Sequence, residues 1–275
     1  MRQGENIVRK YGKYDDPAMG FPEQLTDALR DTIKGMVQGR DVAVAFSGGL
    51  DCGIVASITK EYARSVTLYT AGVKDAYDVL ESKEVSGILE LDWKHLLITE
   101  KDLEESVREM ISVTGTVDSI TLSFEVPLFY VSKYCKEDII IGGQGADELF
   151  AGYSKYIGLS EGEFRDLREA DIARLLTKTL AHESAVSEYF GKKVCYPYLD
   201  RRVTEIVDSM DIREIIPGEV RKGTLRDVAN IIGRPEVAAK KKKAAQYGSG
   251  AMNLLRRMAR DRGTTVNGLI EEWSR

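Results

Sequence analysis

The chain is poor in the residues that build metal centres and disulfides: its 275 residues include two histidines and three cysteines. Cys52, Cys135 and Cys195 lie far apart with no Cys-x-x-Cys spacing, which excludes a zinc ribbon or redox dithiol of that pattern and predicts three reduced thiols. His95 and His182 alone give too little material for a histidine-rich metal site or a Ser-His-Asp triad, so both read as structural. No apolar run approaches the roughly 18 to 20 residues that span a bilayer. The opening residues Met1 to Asn6 lack the apolar core of a secretory leader, so a cytoplasmic protein without membrane contact is expected. Neither the Gly-x-x-x-x-Gly-Lys-Ser/Thr loop nor the Gly-x-Gly-x-x-Gly fingerprint occurs. Internal repeats and long flexible linkers are missing as well.

Charge is present but unevenly spread. The formal net charge of -5 argues against a protein that coats nucleic acid. Yet between residues 219 and 262 the bases Arg221, Lys222, Arg226, Arg234, Lys240 to Lys243, Arg256, Arg257, Arg260 and Arg262 far outnumber the acids, so an anion is expected near that segment.

Strand and helix signals alternate along the first half. Asp41 to Phe46 is a short apolar run that reads as a buried parallel strand, and Ile54, Val55, Ile58 and Tyr62 recur at helical spacing just after it. Strands are then expected over Ser65 to Thr70, Trp93 to Ile98 and Glu137 to Ile141, with helices over Asp78 to Leu91, Glu100 to Val113 and Leu122 to Cys135. Beyond Gly152 the strand signals stop, and helices are expected over Glu163 to Phe190, Leu199 to Met210, Gly223 to Ile232 and Met252 to Arg262. A further helix from Pro22 to Val37 precedes the first strand. This order predicts an α/β fold, a doubly wound parallel sheet with helices on both faces and a helical C-terminal extension. One domain is expected over 1–275: an arm and helix to residue 40, a sheet core over 41–155, and a mainly helical part over 156–275.

Two glycine turns end buried strands. Ser47-Gly48-Gly49-Leu50-Asp51 follows the first, and Gly142-Gly143-Gln144-Gly145-Ala146-Asp147 follows the last. Paired glycines let a backbone turn sharply and bring its N–H groups close to a ligand, while the following helix adds the positive end of its dipole. Open parallel sheets bind ligands at the carboxyl ends of their strands, so the two turns are expected to face one anion from two sides.

The first turn resembles the Ser-Gly-Gly-x-Asp-Ser loop of the ATP-pyrophosphatase superfamily, whose fold is of the adenine nucleotide alpha-hydrolase type. Gly142 through Tyr153, reading GGQGADELFAGY, resembles the second signature of the asparagine synthetases, Ser-Gly-Glu-Gly-Ser/Ala-Asp-Glu-Leu/Val-Phe-Gly-Gly-Tyr. Tyr196-Pro197-Tyr198-Leu199-Asp200 is similar to the family's Val-Pro-Phe-Leu-Asp, and Lys222 to Arg226 to its Lys-x-x-Leu-Arg. The likeness runs over roughly residues 22 to 255.

This resemblance implies an AMP-forming ligase that uses ATP and Mg2+ to activate a carboxylic acid as an acyl-adenylate, then joins it to ammonia or another amine. It implies magnesium on Asp51 and Asp147, phosphates on Ser47, Gly48, Gly49, Leu50, Asp51 and Cys52, and adenine on backbone groups of Phe46, Ala71, Gly72 and Gly143. It also implies a catalytic lysine, best matched by Lys242 with Lys243 as the neighbouring alternative, followed by Gly248 and Ser249 of the nucleotide site. Three positions depart from the family. Cys52 replaces a serine, and a thiol is the weaker donor to phosphate. Cys195 stands where an arginine is common, which removes a fork for carboxylate recognition. Gln144 replaces a glutamate thought to take a proton from ammonia, and glutamine cannot act as that base. The β-lactam synthetases are similar in replacing this glutamate.

The ATP loop lies within fifty residues of Met1, so a glutaminase domain is expected to be missing. Nitrogen is then expected from free ammonia, a separate glutaminase subunit or a substrate amine. Adenylation of tRNA for base modification is the second reading, and an ATP-binding subunit without turnover is the third. A homo-oligomer is a further expectation.

Overall fold

A computed structural model of the protein describes residues 19–240 and 248–275. The order of elements is α1 (Phe21–Val37), β1 (Asp41–Ala45), α2 (Leu50–Tyr62), β2 (Ser65–Gly72), α3 (Tyr77–Leu89), β3 (Asp92–Leu97), α4 (Glu100–Thr114), α5 (Ser119–Tyr134), β4 (Ile139–Ile141), α6 (Ala146–Leu149), α7 (Glu161–Arg174), α8 (Leu180–Tyr189) and β5 (Lys193–Cys195). Helices Arg201–Ser209, Gly223–Ile231, Ala251–Asp261 and Val266–Trp273 follow, with shorter turns between.

All strand pairs are parallel, and the sheet order is β3-β2-β1-β4-β5. The chain therefore winds outward from β1 through β2 to β3, then returns to the other side of β1 for β4 and β5. Ligand crevices form at such a reversal, because the loops leaving the two neighbouring strands part in opposite directions. Here Val44 pairs with Ile141, so the turns after β1 and β4 leave the sheet side by side.

Alternate residues of the central strands enter different cores, as the twofold period of a strand requires. Val42, Val44, Leu68 and Ile141 join Leu25, Leu29 and Ile33 of α1, Ile54 and Ile58 of α2, and Leu225 and Val228 of the helix Gly223–Ile231. Ala43, Tyr69 and Ile140 instead meet Val131 and Cys135 at the carboxyl end of α5. A neighbouring cluster ties α4 and α5, through Leu103, Met110 and Phe129, to Leu255, Leu269 and Trp273. Helices thus cover both faces, and the apolar runs of β1 and β4 are those of strands buried on both sides.

The expected strands and helices of the first half are present, with β4 limited to Ile139–Ile141. The back half differs in three respects. Lys193–Cys195 forms β5, pairing with β4 in the register Ile139 to Lys193 and Ile141 to Cys195, although strand signals end at Gly152. Three residues at a sheet edge, one of them an exposed lysine, carry too little periodicity to read; the open edge of β4 makes them a strand. The helix expected over Glu163 to Phe190 is broken by a π-helical stretch at Leu175–Thr179, so α8 is out of phase with α7. A last helix, Val266–Trp273, is capped by the Thr265 side chain, which accepts from Gly268 N.

Candidate active site

The turn after β1 is shaped by close packing. Phe46 continues the ladder through its N–H to Tyr69 O at 2.9 Å, and Thr70 Oγ1 donates to Phe46 O at 2.6 Å. Gly48 takes φ +77°, and a β-carbon there would stand 2.6 Å from the backbone nitrogen of Ser82, so no other residue fits. Gly49 caps α2 with no side-chain hydrogen bond. The positive end of that helix is therefore left to whatever occupies the crevice. Cys52 lies inside the turn, its Sγ 3.4 Å from both Ser47 Oγ and Gly49 O, and burial pushes its thiol pKa up.

The turn after β4 meets this one directly. A β-carbon on Gly143 would lie 3.2 Å from Asp51 Cβ. Past it, Asp147 on α6 faces Asp51 across the amine of Lys222, with Lys222 Nζ 2.5 Å from Asp51 Oδ2 and 2.6 Å from Asp147 Oδ1. The Lys222 side chain is only 5% exposed. Burial pulls its pKa down, but the two carboxylates more than offset that pull and leave it above the ordinary lysine value. Gly152 makes room for the trio, since a β-carbon there would collide with Asp147 Oδ1 and Lys222 Cε. Glu148 points elsewhere, accepting from Tyr153 OH at 2.7 Å.

Around the trio lies a cavity of about 650 Å³. Phe46, Ser47, Gly49, Asp51, Cys52, Ala71, Gly143, Gln144 and Asp147 all line it, so most of the predicted site residues converge. A smaller cavity of about 140 Å³ adjoins Asp51 and Asp147, walled by Leu50, by the bases Arg221, Lys222, Arg226 and Lys240, and by the acids Asp78 and Glu81. Gly72 stands behind the wall, where a β-carbon would meet Val79 Cγ2 at 2.7 Å and Ser249 O at 3.2 Å. Gly248 backs onto the Asp78 carboxylate, and Ser249 is fully buried, its carbonyl accepting from Val73 N at 2.9 Å. Lys242 and Lys243 lie outside the described residues.

The end of the larger cavity near Gln144 has its own network. Gln144 Nε2 donates to Glu183 Oε1 at 2.6 Å, and Tyr196 OH donates to Glu183 Oε2 at 2.5 Å. Burial pushes the Glu183 carboxyl up to about 7. Cys195, the last residue of β5, accepts from Gly142 N through its carbonyl at 3.0 Å, and its side chain is buried. Of the two histidines, His95 bonds Gly72 O at 2.9 Å and stacks on Trp93, and His182 Nδ1 lies 3.0 Å from Glu125 Oε1.

Arg221, Lys222 and Glu183 also line these cavities, the first two within the basic segment where an anion is expected and Glu183 without any such signal. Lys222 lay in a recognised motif and Arg221 in the basic segment, but Glu183 belongs to a helix with no motif. The basic segment does not form one surface. Arg221, Lys222, Arg226 and Lys240 gather at the smaller cavity, where Lys240 pairs with Glu81 and Glu84 and Arg226 donates to the Ala238 and Lys240 carbonyls, while Arg257 pairs with Glu100 and Arg262 with Glu104 and Glu272. Among the described residues no group of three or more His, Cys, Asp or Glu could hold a metal by itself, and no helix is long and apolar enough to cross a membrane.

Comparison with known proteins adds a family to this geometry. The family model described as asparagine synthase matches residues 24–162 and 158–269. A Methanocaldococcus jannaschii protein named as an asparagine synthetase (glutamine-hydrolyzing) is 28% identical over 90% of this chain and 53% of its own length. Asparagine synthetase B (glutamine-hydrolyzing) of Escherichia coli is 22% identical over 82% of this chain and 45% of its own. The chain thus spans about half the length of the curated relatives it matches. The solved NMN synthetase of Francisella tularensis is similar with a TM-score of 0.45 and 13% identity, covering 92% of this chain and 91% of that one.

Proposed function

Given that the chain belongs to the asparagine synthase family, we propose that it is an AMP-forming ligase, which adenylates a small carboxylic acid with ATP, releases pyrophosphate and passes the acyl group to ammonia or another amine. The observation that carries this is the meeting of Asp51 and Asp147, from two different strand ends, around the amine of Lys222, between an open cavity of about 650 Å³ and a small one lined by both acids and bases.

The donor set suits magnesium, which is commonly held by one or two carboxylates together with substrate phosphates rather than by an all-protein cage. Asp51 and Asp147 would hold it, and it would supply Lewis-acid polarisation of the phosphate group under attack. The chain's own groups do the rest. The Ser47 to Gly49 backbone and the amino end of α2 receive the phosphates. Arg221, which lines both cavities, and Lys222 take up negative charge on the departing pyrophosphate, which is the main demand phosphoryl chemistry makes of a protein. Lys242 keeps the role that its motif implies. Phe46, Ala71 and Gly143 wall the adenosine end. The nitrogen comes from free ammonia, a separate glutaminase subunit or a substrate amine.

The helix before β1, the sheet and the helical back half are read as one unit, because one buried cluster runs from Leu25 through Val44 and Ile54 to Val237. Three free, buried cysteines suit a reducing cytoplasm. The pairing of Arg257 and Arg262 with acids takes them out of any continuous track for an RNA backbone, which favours the small-molecule ligase over tRNA adenylation.

The test is ATP–pyrophosphate exchange with magnesium and a panel of carboxylic acids that includes aspartate. Exchange dependent on one acid supports the ligase. ATP binding with no exchange for any acid, or exchange that depends on tRNA, overturns it.

A further inference from the structure

We propose that the acid activated at this site is a monocarboxylic acid with an apolar chain, and that the chain lies along the cavity face of α5 and against β5. This rests on the ligase reading above and names its substrate class. Helix α5 gives the larger cavity Phe124, Pro127, Leu128 and Val131, and β5 gives it Val194. Positions 124, 127, 128 and 131 share one face of a helix, so the cavity meets an unbroken apolar stripe. At 1.5 Å per residue that stripe is about 10 Å long, enough for a chain of several carbons.

The stripe runs from the surface to the floor of the cavity. Val131 is buried in one cluster with Tyr69 and Ile140, Leu128 is half-buried, and Phe124 is 46% exposed. A single exposed ring means little, but this one continues the stripe, and an apolar chain laid along α5 would cover it. Adenine does not account for the whole wall. Phe46, Ala71 and Gly143, proposed for the adenosine end, come from β1, β2 and the turn after β4. Val194 lies in β5, three strands from β2 in the sheet order, which is about 14 Å at the usual strand spacing.

Charge on this wall points the same way. Helix α8 packs against both α5 and β5, and the one charged residue that these three elements bring to the cavity lining is an acid, Glu183. The bases among the described lining residues, Lys155, Arg174 and Arg221, come from other segments. Lys155 and Arg174 share the buried Asp171 carboxylate, at 2.5 and 2.9 Å, and Arg221 is proposed to serve the pyrophosphate. A second carboxylate on the substrate, laid along α5, would lose its water and gain no cation in return. A chain ending in a methyl group instead exchanges water for Leu128, Val131 and Val194. The wall therefore selects an apolar acid over a dicarboxylic one such as aspartate.

The experiment measures ATP–pyrophosphate exchange by the whole chain with magnesium and matched acids. Acetate, butyrate and hexanoate lengthen the chain, succinate and adipate put a carboxylate where butyrate and hexanoate have a methyl, and aspartate completes the set. From acetate to hexanoate, kcat/KM for the acid should rise about three- to fourfold per methylene, and adipate and aspartate should lag hexanoate by about 10²-fold or more. Leu128→Lys sets a base in the wall and should raise the adipate-to-hexanoate ratio at least about tenfold. Phe124→Ala, at an exposed position, should lower the preference for hexanoate over acetate by about tenfold. Both readouts are ratios within one protein, so a loss of folded enzyme does not move them. Exchange that is fastest with aspartate, that ignores chain length, or whose acid preference neither variant moves overturns the proposal and leaves the ligase reading standing. If no acid supports exchange, the ligase reading fails. Calorimetric binding of hexanoate and adipate in the presence of α,β-methylene-ATP then decides the wall by itself: a preference for hexanoate supports it, and equal binding or none overturns it.

Discussion

Lys222 is the cation that joins Asp51 to Asp147, its amine 2.5 Å from one carboxylate and 2.6 Å from the other in a nearly closed setting. Two carboxylates so close repel each other unless a cation lies between them. Lys222→Met removes that cation and is expected to cost about 3–5 kcal/mol of stability, as for other broken buried ion pairs, and to abolish exchange. Urea denaturation at pH 7 measures the first effect. A loss below ~1 kcal/mol would mean that water or the backbone already screens the pair.

Asp51→Asn keeps the shape of the side chain and leaves Asp147 to pair with Lys222. Pyrophosphate exchange is expected to drop by about 10²-fold or more, with a melting point close to wild type. Full exchange in this variant would remove Asp51 from any metal-holding role.

Gly152→Ala tests the space around the trio. The added methyl meets Asp147 Oδ1 and Lys222 Cε, so the carboxylate and the lysine must separate. A stability loss of about 1–3 kcal/mol is expected, with a fall in exchange that the melting point does not explain. Comparing both readouts with those of Gly162→Ala, where nothing lies within 4 Å, separates the local clash from a general effect of losing a glycine.

Thiol reactivity follows from burial. Cys52, Cys135 and Cys195 are all buried, and burial raises each thiol, Cys135 to about 11. The thiolate is the reactive form, so the folded protein should react slowly with a thiol reagent at pH 8, and all three cysteines should react at once in denaturant. Rapid labelling of one native thiol would contradict the buried setting.

Glu125 gives a pH dependence of stability. Its ordinary value is 4.5, and burial pushes it up to about 8, against the pull of Lys178. Between those values the folded chain keeps a proton that the unfolded chain has lost. The contribution of Glu125 to stability is therefore full below about pH 4.5 and is lost as pH rises toward 8. Glu125→Gln removes this part of the slope, and the difference between pH 5 and pH 8.5 should shrink by about 3 kcal/mol as an order of magnitude. Denaturant titrations of both proteins at the two pH values measure it, and an unchanged slope would mean that Glu125 ionises normally.

Much of this protein is set locally. The apolar run of β1, the glycines that follow it and the helical spacing after Asp51 dictate a strand, a tight turn and a helix from neighbouring residues alone, and the same holds for β2 through α5. The two glycine turns and their acids were legible for that reason. Three features come from contacts between distant segments. Lys193–Cys195 becomes β5 because β4 offers an open edge. The π-helical stretch at Leu175–Thr179 puts α8 out of phase with α7, and α8 places Glu183 against Gln144, 39 positions earlier in the chain. Lys222, 171 positions beyond Asp51, enters the site because two half-buried carboxylates side by side need a cation and because Gly152 leaves it room. The two glycine turns follow from the sequence alone, since they depend on adjacent residues. Which cation and which further carboxylate stand beside them was decided only when the chain packed, because long-range burial and charge pairing choose those partners.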